Sequence, residues 1–388
     1  MLNKILLCAS FLLIILINGC GEVQRDVPET HHVLQMVTNG NEVAYICTIP
    51  KSGPLGNVME SYVITSEQKK GPFENVRELS WSSDGNILVY DVKESGQRYI
   101  YAGVDKKGPF EDTAKLSWSP DGKTFAYGTK ELGQYYVYVG VDKKGPFEDV
   151  GNPVWSPDSK TLAYKAKESG QWHVYAGADK KGPFEAAWSL SWSPDSKILA
   201  YNTKESGQWH VYAGADKKGP FEDIGELSWS PDGKMLVYKT RESRLWYIYV
   251  GVDKKGPFED IGELSWSPDS KTLAYQAKEL GRWYIYVGVD KKGPFEDIRN
   301  LSWSPDSKTL AYQAKESRLW CVYAGADKKG PFGFVDKLSW SPDSKTLAYG
   351  IINTVDKYSK IIKNQKEYTG CIFNNKVAYI DNNKIIIE

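Results

Sequence analysis

A chain of 388 residues ordinarily implies two or three domains, unless it is one unit copied many times. Its 49 basic and 49 acidic residues cancel, which excludes the surplus of Lys and Arg that sequence-independent nucleic-acid binding requires. The 14 Trp and 25 Tyr beside only 4 Met and 4 His mark a globular, β-rich composition and exclude a disordered one.

The chain opens MLNKILLCASFLLIILINGC, with Lys4 followed by an uncharged apolar run from Ile5 to Ile17 and then Asn18, Gly19 and Cys20. That run is short of the roughly 20 apolar residues a membrane-spanning helix needs, and its layout is that of an export signal. Ile17-Asn18-Gly19-Cys20 resembles the lipobox of bacterial lipoproteins, although Asn18 is less usual there than Ala, Ser or Thr. The resemblance implies a signal peptide over 1–19, cleavage before Cys20 and acylation of its thiol, with 20–32 as the anchored cysteine and a polar tether. An ordinary secretory signal with a chance cysteine is the alternative. Cys8 would leave with the signal, so Cys47, Cys321 and Cys371 remain in an oxidising compartment. Ring closure would bring Cys47 and Cys371 together, and a bridge between them or three unpaired thiols both fit the count.

From Lys69 onward the chain is a repeat. KKGPF begins at Lys69, Lys106, Lys143, Lys180, Lys217, Lys254, Lys291 and Lys328, each step 37 residues, and Trp81, Trp118, Trp155, Trp192, Trp229, Trp266, Trp303 and Trp340 keep the same spacing. One unit, residues 263–299, reads ELSWSPDSKTLAYQAKELGRWYIYVGVDKKGPFEDIR. It parses as four short strands: LSWS, TLAYQAK, WYIYVGV and a fourth around PFEDI. The SPDS or SPDG segment suits a type I turn with Pro second, and DKKG is expected to close the last hairpin. The third strand is apolar on both faces, so sheets must stack face to face. Pro153 stands in the first strand of its copy, which makes that strand an edge. These features predict an all-β fold, a β-propeller of four-stranded blades on a 37-residue repeat, with 8 to 10 blades. The string W-S-P-D-[SG]-K-x-[LF]-A-Y, with Ser83 and Val237 as departures, resembles the WD40-like repeat of TolB-type bacterial propellers. The resemblance covers about 69–350 and implies a fold common to many envelope proteins, without fixing a function. MVTNGNEVAY at 36–45 and CIFNNKVAY at 371–379 echo the repeat, so 33–388 reads as a single propeller domain whose two ends jointly complete a closing blade.

Chemistry is sparse in this pattern. There is no G-x-S-x-G elbow, no C-x-x-C or H-E-x-x-H pair and no EF-hand loop, and of the four histidines His31 and His32 fall in the tether while His173 and His210 replace a Tyr of other copies. No catalytic residue, cofactor or metal ligand is therefore assigned. With DKKG and SPDSK on one face the repeat sums to a slight positive excess there, opposite the FED acids offset by Arg244, Arg282 and Arg318. The residue after the second-strand Tyr varies between copies: Asp91, Gly128, Lys165, Asn202, Lys239, Gln276 and Gln313. Of these, Lys165, Asn202, Lys239, Gln276 and Gln313 are the candidates to face a partner. The expected function is a monomeric, lipid-anchored, non-catalytic propeller of the bacterial envelope, on the periplasmic side or cell surface, that binds or scaffolds a protein or glycan and no nucleic acid. The alternatives are a propeller hydrolase or lyase acting on polysaccharide, and a purely structural array.

Overall fold

The computed structural model describes residues 32–352, except 41, 54–55 and 115, and the strands Ser359–Lys363, Lys366–Phe373, Lys376–Asp381 and Lys384–Ile387. The expected signal peptide, Cys20 and nearly all of the tether lie outside the described residues. Every described element is a strand or a turn. The strands pair antiparallel into nine successive sheets, eight of which end on a KKGPF segment. The fold class is the expected one, a β-propeller of repeated four-stranded blades. The residues form two compact units, one ending at Pro220 and the other beginning at Phe221.

One blade shows the logic of all of them. Strand one, Asp260–Trp266, pairs with strand two, Leu273–Glu279; that pairs with strand three, Arg282–Val287, and the last with strand four, Asp290–Phe295. Strands one and four are thus the edges. In the copy that carries Pro153, strand one is broken into Asp149–Val150 and Val154–Trp155, as an edge tolerates. Strand two is the most buried, because its neighbours on both sides and the adjoining blades cover both faces: Leu273, Ala274, Tyr275 and Ala277 are all buried.

The turn between strands one and two depends on a buried serine. Ser156 donates its hydroxyl to Asp158 at 2.6 Å and accepts the Thr161 amide at 2.9 Å, while Asp158 also accepts the Lys160 amide. The residue after the Asp is left-handed, with φ of 65° at Ser159 and 71° at Gly122, which accounts for the alternation of Ser and Gly there. Where it is Ser, its hydroxyl accepts an amide from the preceding blade, as in Asp158 N–H to Ser196 at 2.8 Å and Asp269 N–H to Ser307 at 2.9 Å.

The DKKG segment differs from expectation. It is not a turn but the start of strand four; the hairpin is closed instead by Gly-Val or Gly-Ala, with Val104 and Val289 almost fully exposed at the tips. Its first lysine is consumed inside the blade. Lys180 donates to Glu168 at 2.6 Å, and Tyr175 donates to the other oxygen of the same carboxylate. The same Tyr–Glu–Lys triad recurs at Tyr138, Glu131 and Lys143 and at Tyr249, Glu242 and Lys254. One lysine of each such pair is thus matched to a carboxylate within its own blade. Pro and Lys on this outer edge also guard it against pairing with another strand.

PFEDI is divided between blades. Phe closes strand four and wedges into the next blade, where Phe147 packs on Tyr164 and Tyr175 at 6.2 and 5.8 Å and those two rings stack at 4.9 Å. The following Glu accepts the amide at the next blade's second hairpin, as Glu148 does from Gly170 and Glu259 from Gly281. Asp then opens strand one of the new blade. First strands of neighbouring blades are joined as well: the indole N–H of Trp155 donates to Ser117 O at 3.0 Å, and that of Trp340 to Ser302 O at 3.0 Å.

The chain ends depart from the regular unit. His32–Thr38, Val43–Gly53, Gly56–Ile64 and Lys69–Phe73 make a blade of their own, and the sheet beginning at Phe334–Trp340 continues to six strands ending at Lys384–Ile387. Among the described residues each end pairs within its own sheet. Each end has enough extended sequence to complete a sheet alone. Cys47 and Cys321 are buried free thiols, their pKa pushed up by burial; the Cys371 side chain lies outside the described residues.

Candidate functional site at the first-strand bulges

The blades are nearly the same, so the places where they differ in charge and size stand out. Two such positions lie side by side in strand one: Arg77-Glu78, Gly151-Asn152, Trp188-Ser189, Gly225-Glu226, Gly262-Glu263, Arg299-Asn300 and Asp336-Lys337. The third is the second-strand residue after Tyr, and the register sets it directly opposite: Arg77 faces Asp91, Trp188 faces Asn202 and Arg299 faces Gln313. One cross-strand cluster per blade thus gathers these three positions, and the second hairpin, with Gly96, Arg244 and Arg318, varies as well.

The backbone is irregular at this spot. The pairing of strands one and two slips between Arg77 and Leu79, Trp188 and Ser191, Ile261 and Leu264, and Arg299 and Ser302. In three blades the bulged residue is left-handed without being glycine, with φ of 48° at Glu78, 54° at Ser189 and 54° at Asn300. Those blades are the ones whose preceding residue is large. A bulge re-aims a side chain, and a left-handed non-glycine costs about 1–3 kcal/mol, so such features concentrate at functional sites. Here the bulge turns the large residue outward: Trp188 is 56% exposed, and the side chains of Arg77 and Arg299 are 42% and 54% exposed.

The sequence-predicted candidates lie beneath these residues. Asn202, Gln276 and Gln313 are buried and Lys165 and Lys239 half-buried. Lys165, Lys239 and Gln313 direct their polar ends at strand one of the next blade, whereas Gln276 accepts the Glu263 amide of its own blade at 3.3 Å. The Lys165 ammonium donates to Ala187 O at 2.7 Å, the Lys239 ammonium to Gly262 O at 2.5 Å, and the Gln313 amide to Asp336 O. Burial holds the pKa of both lysines below the ordinary value. Asp91, also buried, is paired with Arg98 at 3.3 Å and with the Thr113 hydroxyl, and desolvation raises its carboxyl despite them.

Size is traded across the pair. A Cβ on Gly151 would lie 2.5 Å from Lys165 Cε, and one on Gly262 would lie 2.2 Å from Gln276 Oε1; where the second-strand residue is Gly128, the partner is Ala114. We expect Gly262→Ala to destabilise by about 1–3 kcal/mol through overpacking, and Gln276→Gly added to it to restore most of the loss. A double-mutant cycle in urea measures the coupling.

Sequence reasoning reached the second-strand half of this cluster and missed the exposed half. The signal was present, since aligning the copies shows Arg77, Trp188 and Arg299 differing as much as Lys165 and Gln313. What a linear reading lacks is the register that makes the two positions neighbours. His173 and His210 are half-buried in strand three, where other copies have Tyr. Among the described residues no group of three or more His, Cys, Asp or Glu is arranged to hold a metal ion.

No protein-family model and no curated protein matches this sequence. Among solved structures the chain is similar to the Dos1 propeller, at 11% identity and a TM-score of 0.41, covering 78% of this chain and 94% of that one. It is similar to the β-propeller domain of the Trilobed protease from Pyrococcus furiosus, at 14% identity and TM-score 0.35, over 78% and 95% of the two chains. A third is an oligogalacturonate lyase in complex with manganese, at 13% identity and TM-score 0.33, over 66% and 89%.

Proposed function

We propose that this protein is a monomeric, non-catalytic, TolB-like propeller of the bacterial envelope, anchored through acylated Cys20, that binds a protein or glycan partner through its first-strand bulges. The observation that carries the reading is the coincidence of three properties at one place. Arg77, Trp188 and Arg299 differ between blades, are exposed, and sit on the irregular backbone. Left-handed, exposed and variable residues also occur at the second hairpin, as at Leu132 and Arg244, but only the bulge sets them across the strand from the variable second-strand residue. The balanced net charge keeps nucleic acid out of the reading.

The test is cross-linking in intact cells with the wild type, an Arg77→Ala, Trp188→Ala, Arg299→Ala triple variant, and a Val104→Ser, Val289→Ser control at the hairpin tips. The triple variant is expected to lose the cross-linked species that the control retains; equal capture by all three would refute the reading. Fatty-acid labelling that is abolished by Cys20→Ala checks the anchor.

A second reading, a hydrolase or lyase acting on polysaccharide, has one observation in its favour. Neighbouring blades place Glu226 and Glu263 at the same bulge position, and Glu263, though exposed, has enough protein around its carboxyl for desolvation to raise its pKa against the hydrogen bond it accepts from Leu301. Turnover of an oligosaccharide abolished by Glu263→Gln would favour it over binding alone.

A further inference from the structure

Of the first-strand bulges, one carries an aromatic residue. Trp188 stands where the other regular copies have Arg, Ala, Gly or Asp, and it is 56% exposed, an unusual state for the largest apolar side chain. Its ring leans on Trp209 of strand three in the same blade, with centroids 5.1 Å apart and planes inclined at 51°. One edge of the indole is therefore braced while its remaining surface faces water. The residues beside it are polar. Ser189, left-handed and exposed, follows it; Asn202 lies opposite in the register; and the Lys165 ammonium sits on the carbonyl of the preceding residue, Ala187.

We propose that Trp188 is a stacking platform for a sugar ring, which makes a glycan the partner bound in this blade. The proposal rests on the reading of the bulges as a recognition surface and narrows its ligand. The chemistry of the surroundings selects the class. A protein partner is gripped by a cluster of buried aromatic and aliphatic anchors inside a polar rim, whereas Trp188 has the exposed Ser189 hydroxyl beside it and the polar Asn202 and Lys165 beneath. Of the other strongly exposed apolar residues of the same unit, Val104, Leu132 and Val141 are at hairpin tips and Leu34 is in the first strand of a different blade, so they are not beside it. A pyranose has a flat C–H face to lay on indole and hydroxyls at its rim to meet polar groups, so it matches both halves of this environment. Trp209 fixes the tilt of the platform, and the left-handed Ser189 holds the indole outward, so little conformational freedom is lost on binding.

The experiment presents the mature full-length protein with immobilised oligosaccharides of neutral hexoses, of N-acetylhexosamines and of hexuronic acids, for the wild type, Trp188→Ala and Trp188→Phe. We expect at least one class to bind, Trp188→Ala to weaken it by about tenfold or more, and Trp188→Phe to stay within about threefold, because a smaller aromatic face remains. The thermal midpoint of Trp188→Ala is measured alongside, and an exposed side chain should leave it nearly unchanged. Binding of no glycan by the wild type, or glycan binding indifferent to Trp188→Ala, overturns the proposal, as does retention by proline-rich peptides in place of sugars. If the platform fails while an Arg77→Ala, Arg299→Ala variant still loses its cross-linked partner, the bulge reading survives without the glycan; if neither change matters, both fall.

Discussion

Replacing Phe295 with alanine should cost about 3–5 kcal/mol, the largest single-site loss expected anywhere in the regular blades. Phe295 closes strand four, is 6% exposed, and reaches across to the next blade to pack on Tyr312 and Tyr323 at 6.2 and 5.6 Å. Those rings are themselves stacked at 5.0 Å, so removing the wedge leaves a cavity walled by a rigid aromatic pair that cannot collapse to fill it. Blades are coupled through nearest neighbours, so the loss should appear as a broader, less cooperative guanidinium transition as well as an earlier one. Hydrogen exchange should rise first in the strands on either side of that junction. Val289→Ser, at a tip that is 99% exposed, is the control and should change stability by less than about 0.5 kcal/mol. A single sharp transition at the wild-type midpoint for Phe295→Ala would show that the wedge contributes nothing.

Stability should also fall steeply in acid, because the same favourable carboxylates recur in blade after blade. At Glu168 the hydrogen bond from Lys180, and then that from Tyr175, lower the carboxyl pKa below the usual 4.5. At Glu131, Glu205, Glu242, Glu279 and Glu316 burial opposes the shift, yet the Lys and Tyr donors prevail and the direction is the same. In the serine turns the Ser hydroxyl lowers Asp121, Asp158 and Asp269 below 3.8. A carboxylate whose folded pKa is depressed contributes stability that is present in full above its unfolded value and is lost as pH falls through the folded one. The window therefore opens near pH 4.5 for the triads and near 3.8 for the turns, with losses deepening below both. Asp91 and Glu263, which are raised, act in the opposite sense but are few. Thermal midpoints taken between about pH 7 and pH 3 should stay level and then drop, and Glu168→Gln should flatten part of the drop. A midpoint constant down to about pH 3 would mean the triads add nothing to folding.

The fold could be read from the repeat because its determinants are local and copied. Alternating apolar residues, a Ser-Pro-Asp turn and an aromatic third strand appear in each unit, and every copy confirms the last. What could not be read was where one blade stops. DKKGPF looks like turn residues on composition, with Lys, Gly and Pro together, and its role as an edge strand is visible only once Lys180 is seen bonded to Glu168 and Phe147 seen inserted into the following sheet. The candidate site was half legible for a related reason. Lys165 and Gln313 announced themselves by differing at a fixed offset from Tyr, while Trp188 and Arg299 needed the bulge and the left-handed φ of the next residue to reveal that they face solvent. Intervals along a chain report strands well and report cross-strand partners poorly, because one extra residue in a bulge changes which side chain points where.

The wedge and the glutamate cap are chemically the same at one junction after another, and this carries a cost along with its strength. Nothing in Phe147 distinguishes the tyrosines of its rightful neighbour from those of a blade further on, so the order of assembly is enforced by chain connectivity alone. Excision or duplication of one whole 37-residue module is expected to leave a chain that still folds, because the new boundary would be welded by the chemistry of the old. The same indifference makes it prone, while folding, to skip a module and trap itself with the wrong pair engaged.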